Sequence, residues 1–293
     1  AASSEATGRE AAAFFDEAAR FYDQFEGGLD QNLKGGGVYK FANGDVFTGD
    51  LLSGRLHGTG VYDFVTGDKY EGTFREGMMH GHGTYWFANG DKYIGEFENG
   101  KRHGRGAMTC ANGDKFWGNF VNDVKEGQGT YVHADGITYD GSYKRGNREG
   151  AGVLTFPSGS SYDGDFGGEG TFHGVGLFTF ANGCEYRGEF RDGMRHGRGL
   201  LAFPDGGNYN GEWVEGVMDG RGVRKYANGD SFEGEFREGL RDGGVYKFAD
   251  GNAITLSKYG SPNLSGGGHW QVSFGSNAVA PMAQADGGKP QWV

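Results

Sequence analysis

Along most of the chain, apolar residues and glycines stand two apart with polar residues between them. In "YIGEF" (Tyr93–Phe97), Tyr, Gly and Phe alternate with Ile and Glu. A period of two puts all three on one face of a β-strand. "ENGKRHG" follows, polar and rich in breakers, and reads as a turn. Then "GRGAMTC" (Gly104–Cys110) alternates again, with Gly104, Gly106, Met108 and Cys110 on one face. One unit earlier, those positions hold Gly81, Gly83, Tyr85 and Phe87. "ANGD" closes the unit. Asn-Gly between two alternating segments predicts a hairpin with a type I′ turn, which needs a positive φ twice.

The unit repeats. An aromatic-x-Gly triplet begins at Phe47, Tyr70, Tyr93, Phe116, Tyr139, Tyr162, Tyr186, Tyr209 and Phe232. The interval is 23 residues throughout, except for a single 24 that falls within "YDGDFGGEGTFHGVG". One residue inserted in a loop accounts for it. Each unit is therefore read as one antiparallel hairpin, and the series as a meander. Glycine weakens a strand, so its regular placement implies a compensating contact: a neighbouring ring lying over the bare backbone.

The segments "YEGTFREGMMHGHG" (Tyr70–Gly83) and "YRGEFRDGMRHGRG" (Tyr186–Gly199) resemble the MORN repeat. The resemblance covers nine units from Phe47 to about Asp250, with a preceding half unit, "GGGVYKFANGD", from Gly35. It implies an all-β fold: an elongated, twisted single-layer antiparallel meander of nine to ten stacked 23-residue hairpins. It also implies a role in assembly, because related repeats occur in cytoskeletal and flagellar scaffolds, in membrane-junction proteins and beside lipid-kinase domains. The units at Phe116, Tyr139, Tyr209 and Phe232 depart from the pattern by lacking the His of the His-Gly pair. Cys110 stands where Phe or Tyr is usual. "NAITLSKYG", after the last unit, reads as a terminal cap over an open sheet edge.

Three regions follow: residues 1–34, 35–259 and 260–293. In the first, Ser3–Gly28 is predicted to form an amphipathic helix, with Phe14, Ala18, Phe21, Tyr22 and Phe25 on one side and Gly27-Gly28 as the stop. It would pack on its own sheet or on a partner. The last region is expected to be an irregular extension that keeps Trp270, Phe274 and Trp292.

Composition removes several alternatives. The 293 residues include 61 glycines but only 5 prolines, which excludes collagen. Aromatics make up 15%, against the poverty of aromatics in disordered chains. The net charge of −11 argues against nucleic acid, whose affinity comes from clustered Lys and Arg. Cys110 and Cys184 are the only cysteines and read as two reduced thiols. Ala1 in first place leaves removal of an initiator Met or of a targeting peptide open. The expected setting is intracellular, soluble or peripheral, with a cytoskeleton or axoneme first and a processed organellar protein as the alternative.

Catalytic patterns are weak. His57, His80, His103, His173 and His196 recur at one repeat position. Successive hairpins advance by about 9.6 Å, too far for neighbouring histidines to share a zinc ion held at about 2 Å. They read as turn-stabilising residues. "GHG", "GRG" and "GQG" lead into strands, whereas a phosphate loop leads into a helix. No G-x-S-x-G is present. No catalytic group, cofactor or metal is expected.

What remains is surface. A single-layer sheet is expected to leave its aromatic face open for a partner helix or strand, through Tyr70, Phe74, Tyr85, Phe87, Tyr93, Phe97, Tyr186, Phe190, Tyr209 and Trp213. One set of turns carries bases, notably Lys101, Arg102, Arg105, Arg195 and Arg198. The opposite set carries acids: Asp45, Asp68, Asp91, Asp114, Asp135, Asp205 and Asp230. Either these turns are merely polar or they form charged edges that recognise partners. The reading that results is a non-enzymatic scaffold for other proteins, a structural subunit of a flagellar, cytoskeletal or other large assembly. The alternative is a peripheral tether that binds anionic phospholipid through the basic edge.

Overall fold

The computed structural model describes residues 22–27 and 34–256. The chain divides into two compact units, residues 1–147 and 148–293.

In the first unit the strands are β1 Tyr22–Gly27, β2 Gly35–Phe41, β3 Val46–Leu52, β4 Arg55–Asp63, β5 Lys69–Arg75, β6 Met78–Trp86, β7 Lys92–Glu98, β8 Lys101–Thr109, β9 Lys115–Val121, β10 Val124–Val132 and β11 Thr138–Lys144. Each pairs antiparallel with the next in sequence. β12 (Asn147–Thr155) begins at the unit boundary. The second unit continues with β13 Ser161–Phe166, β14 Phe172–Thr179, β15 Glu185–Arg191, β16 Met194–Ala202, β17 Asn208–Val214, β18 Val217–Lys225, β19 Ser231–Arg237, β20 Leu240–Lys247 and β21 Ala253–Leu256. From β12 onward, each again pairs with its successor. The predicted meander of 23-residue hairpins is thus the observed fold. The extra residue of the 24-residue unit sits in the β13–β14 connection, where Gly170 N–H bonds to Gly167 C=O and a three-residue loop replaces the usual two-residue turn.

The expected helix over Ser3–Gly28 is corrected at its C-terminal end. Tyr22–Gly27 is a strand, with Phe25 opposite Tyr39 and Gly27 opposite Gly37. Pairing gives β2 a partner for backbone groups that an open edge would leave exposed, and this tertiary gain overrides a modest helical preference. The sheet therefore begins ahead of residue 35. The rest of the helix expectation, and the extension 260–293, lie outside the described residues. At the other end, β21 pairs with β20.

Turn chemistry also differs from the prediction. The two-residue turns with paired positive φ are the other set: Glu76 (54°) with Gly77 (85°), and Asn99 (49°) with Gly100 (79°). In the "ANG" loops only the glycine is left-handed, as at Gly44 with φ 95°. Gly44 N–H bonds to Phe41 C=O and Phe41 N–H to Asp45 C=O, giving a three-residue loop with a left-handed glycine last. Asn43 serves through its side chain, whose Oδ1 accepts from Asp45 N–H at 3.0 Å. Glu76 holds a left-handed conformation that Asn tolerates better. Glu76→Asn is therefore expected to raise stability by a few tenths to about 1 kcal/mol, read as a higher urea midpoint. An unchanged or lower midpoint would count against strain at this turn.

The core of each unit is built on one line of glycines. In the first unit Gly37, Gly49, Gly60, Gly72, Gly83, Gly95, Gly106, Gly118, Gly129 and Gly141 face one another across successive strands. In the second, Gly152, Gly164, Gly176, Gly188, Gly199, Gly211, Gly222, Gly234 and Gly244 do the same. The first aromatic of each repeat lies across this line. In most repeats its ring meets two others edge-on. Tyr93 contacts Phe97 of its own strand at 5.1 Å between centroids and Phe120 of the next hairpin at 5.2 Å. Tyr186 contacts Phe190 and Trp213 in the same way, both at 5.1 Å.

Candidate partner-binding surface

The column of rings is more enclosed than an open sheet face suggests. Tyr70, Tyr93, Tyr186 and Tyr209 are 0% exposed, and Phe74, Phe97, Phe190 and Trp213 are buried with them. Tyr85 is 6% exposed. Of the ten aromatic residues predicted to face a partner, only Phe87 is half-buried. The expectation of an exposed aromatic column is therefore corrected. Glycine lets each ring descend onto backbone, and the edge-on neighbours cover what is left.

The tyrosine hydroxyls are also satisfied internally. Tyr93 Oη donates to Glu96 C=O at 3.0 Å, and Tyr70, Tyr139, Tyr186 and Tyr209 make the equivalent bond in their own repeats. Burial raises all four buried phenols Tyr70, Tyr93, Tyr186 and Tyr209 well above the ordinary tyrosine range. The Glu that follows the strand glycine does a second job. Its Oε1 accepts from Arg105 N–H at Glu96 and from Arg198 N–H at Glu189, both at 2.9 Å. These bonds hold the bulge at which His-Gly departs from the ladder. The repeated histidines border this bulge, with His57, His103, His173 and His196 each paired opposite an Asp or Glu of the preceding strand, and among the described residues no three His, Cys, Asp or Glu side chains come together as a metal site.

The acidic turns are largely occupied. Asp45 and Asp114 are buried, and Asp68 is 9% exposed. Each joins its loop to the next hairpin. Asp68 accepts from Tyr85 Oη at 2.8 Å and from Ala88 N–H. Asp45 does so with Tyr62 and Val65, Asp114 with Tyr131 and Ala134, and Asp230 with Tyr246 and Ala249. Asp45, Asp68, Asp91, Asp114 and Asp230 are thus used in joining hairpins, whereas Asp135 and Asp205 stay exposed and bond only within their own loops. Burial pushes the Asp114 carboxyl upward, but bonds from Tyr131, Ala134 N–H and Asn112 outweigh it and hold it below the ordinary range. A depressed carboxylate contributes stability that is present above its unfolded value of about 3.9 and lost as pH falls through the folded value. Asp114→Asn is accordingly expected to be less stable than wild type at pH 7 and to lose less on acidification below about pH 5. Parallel acid-titration slopes for the two proteins would contradict this assignment.

The basic residues divide. Arg105 and Arg198 are exposed, and Lys101 is half-buried. Arg102 pairs with Asp123 at 3.0 Å and lies over Phe120 and Tyr93. Arg195 is 3% exposed, stacks 4.4 Å above Trp213 and donates Nη2 to Gly216 C=O. Lys125 covers Phe116 and Tyr131, at 4.7 Å from each. Cations read as an edge thus belong to the aromatic face, where desolvation favours stacking on a ring.

The open part of that face is a second set of rings before most of the three-residue loops, with Cys110 and His133 in that place at two of them. Phe64, Phe87, Phe180, Phe203, Tyr226 and Phe248 are half-buried. Their shared place in the repeat was visible in the sequence, but only Phe87 was singled out from it. Three of them lean on a buried ring: Phe64 on Tyr62 and Phe87 on Tyr85, both at 4.5 Å, and Phe180 on Phe178 at 4.6 Å. On the opposite face of the first unit Ile94 is 50% exposed and Trp117 46%, beside Trp86, which stands between Lys69 and Lys92.

The family model for the MORN repeat matches residues 25–46, 47–69, 70–92, 93–115, 118–138, 139–161, 162–185, 186–208, 209–231 and 232–253. No curated protein matches the chain. Among solved structures, the TCP10 domain of Danio rerio CPAP in complex with a peptide of Danio rerio STIL is 14% identical, covers 80% of this chain and 99% of its own, and has a TM-score of 0.42. The SAS-4 TCP domain of Drosophila melanogaster with a proline-rich motif of Ana2 is 13% identical over 63% of this chain and 86% of its own, TM-score 0.26. Virginiamycin B lyase from Staphylococcus aureus is 9% identical over 80% of this chain and 89% of its own, TM-score 0.16.

Proposed function

This chain belongs to the MORN-repeat family, and from that premise we propose that it is a non-enzymatic scaffold that holds partner proteins on the aromatic face of its sheet. The observation that carries the reading is the set of half-buried rings before the three-residue loops, Phe64 and Phe87 in the first unit and Phe180, Phe203, Tyr226 and Phe248 in the second. Rings fixed from below by packing and open above are the rigid, low-entropy anchors that interfaces favour. The buried column serves as their foundation. A flagellar, cytoskeletal or other large assembly is the setting that the family resemblance favours.

The test is cross-linking mass spectrometry of the protein in native material, alongside a Phe64→Gln/Phe87→Gln variant. Cross-links from Lys101 and Lys125 to a reproducible second protein are expected, and the variant should lose them while melting near the wild type. Cross-links confined to this chain would overturn the proposal. So would an intermolecular pattern that the variant leaves unchanged.

A further inference from the structure

Repeats allow each side chain to be compared with its counterparts in the same molecule, and two arginines lack the acids that their counterparts have. Arg102 meets the carboxylate of Asp123, which lies in the next turn. Arg195 holds the same place in its own repeat, but the residue equivalent to Asp123 is Gly216, which offers only a carbonyl. Arg195 Nε and Nη1 are buried and have no hydrogen-bond partner. Arg224 stands where Tyr85, Tyr131 and Tyr246 each donate to an aspartate of the preceding loop. There the aspartate is replaced by Gly207, and Arg224 Nη1 is likewise buried without a partner.

Both guanidinium groups lie on the aromatic face of the second unit. Arg195 sits over Trp213, Tyr186 and Phe180, and Arg224 lies 3.8 Å over Phe203 and 5.4 Å from Tyr226. Phe180 and Phe203, which lie under these two groups, lead into loops that touch, since a Cβ on Gly183 would meet Pro204 at 3.3 Å. Burial pulls the Arg195 guanidinium down to about 10, still protonated at neutral pH. A buried cation without an acid is costly, and apolar residues fill the place of Arg195 elsewhere, as Met79 and Met218 do.

We propose that Arg195 and Arg224, framed by Phe180, Phe203, Trp213 and Tyr226, receive the carboxylates of an acidic peptide segment of a partner protein. The occupant is argued from charge: Arg195, which no carboxylate faces, and Arg224, which has only the field of Asp205 and a buried Nη1 without a partner, are set among rings and complement Asp or Glu flanked by apolar side chains. The inference rests on the reading of this face as a partner surface and names the chemistry of what binds there. The chain as a whole carries −11, so attraction of an acidic peptide runs against its overall field and must come from a local site.

The probe is a phage-displayed library of random dodecapeptides, panned on the full chain and on Arg195→Met/Arg224→Tyr. Both replacements occur naturally at these positions in other repeats, so the variant is expected to melt at or above the wild type. Peptides enriched on the wild type should carry Asp or Glu beside apolar residues. A synthetic one should bind the wild type about tenfold or more tightly than the variant. Replacing its acids by Gln or Asn should remove that difference. Enriched peptides without acids, or equal affinity for both proteins, would overturn the proposal. If acid-free peptides bind and are lost on Phe180→Gln/Phe203→Gln, the partner surface stands and only the carboxylate site falls. No enrichment on the wild type counts against both.

Discussion

Gly95→Ala is expected to lower stability by about 3 kcal/mol or more, although it adds a single methyl group to an exposed-looking sheet. The new Cβ would stand 2.5 Å from Tyr93 Oη and 2.6 Å from both Arg105 C=O and Gly106 Cα. Two of those three atoms are backbone, and the third is held by its bond to Glu96, so no flexible side chain can move aside. For a chain of this size the loss corresponds to a fall in melting temperature of roughly 10 °C. Gly100→Ala is the control. Its Cβ would meet nothing within 4 Å, and only its left-handed φ of 79° is at stake, a strain of about 1 to 2 kcal/mol. If the two variants melt together, the glycine line is not a packing device and the account of the core fails.

The second large effect is expected at the ring that occupies this space. Tyr186→Ala should cost about 3 to 5 kcal/mol. It removes a fully buried ring and uncovers both edge-on partners, Phe190 and Trp213, with Arg195 above them. Tyr186→Phe keeps the ring and loses the bond to Glu189 C=O, for about 1 kcal/mol. Urea melts of the two variants separate ring packing from the hydroxyl. A Tyr186→Ala loss as small as that of Tyr186→Phe would mean that the column does not carry the core.

The fold was largely legible because a hairpin is a local structure. Alternation marks the strands, and the recurrence of an aromatic-x-Gly triplet at a nearly constant interval implies equal stacked units. The strand at Tyr22–Gly27 was missed because helical spacing and strand-forming aromatics coexist there, and pairing with β2 decided between them. The turn types were exchanged because Asn-Gly suits two geometries. The Asn43 side-chain bond to Asp45 favours the three-residue loop.

The candidate surface was less legible. Tyr93 is buried by Phe120, a residue of the following hairpin, and Asp68 is used by Tyr85 and Ala88 of the following hairpin. Each contact crosses from one repeat to the next. A unit read alone therefore shows rings and charges without showing which of them its neighbours consume.

The sequence by itself determined the 23-residue hairpin, the strand faces, the MORN resemblance and the need for rings over glycine. These follow from backbone geometry and local spacing. Tertiary structure alone decided which aromatics are covered, that most of the acidic turns join hairpins, and that Arg102 has a carboxylate where Arg195 has none. Burial and ionic pairing depend on distances between repeats, and those distances are set by sheet curvature and bulges that spacing does not encode.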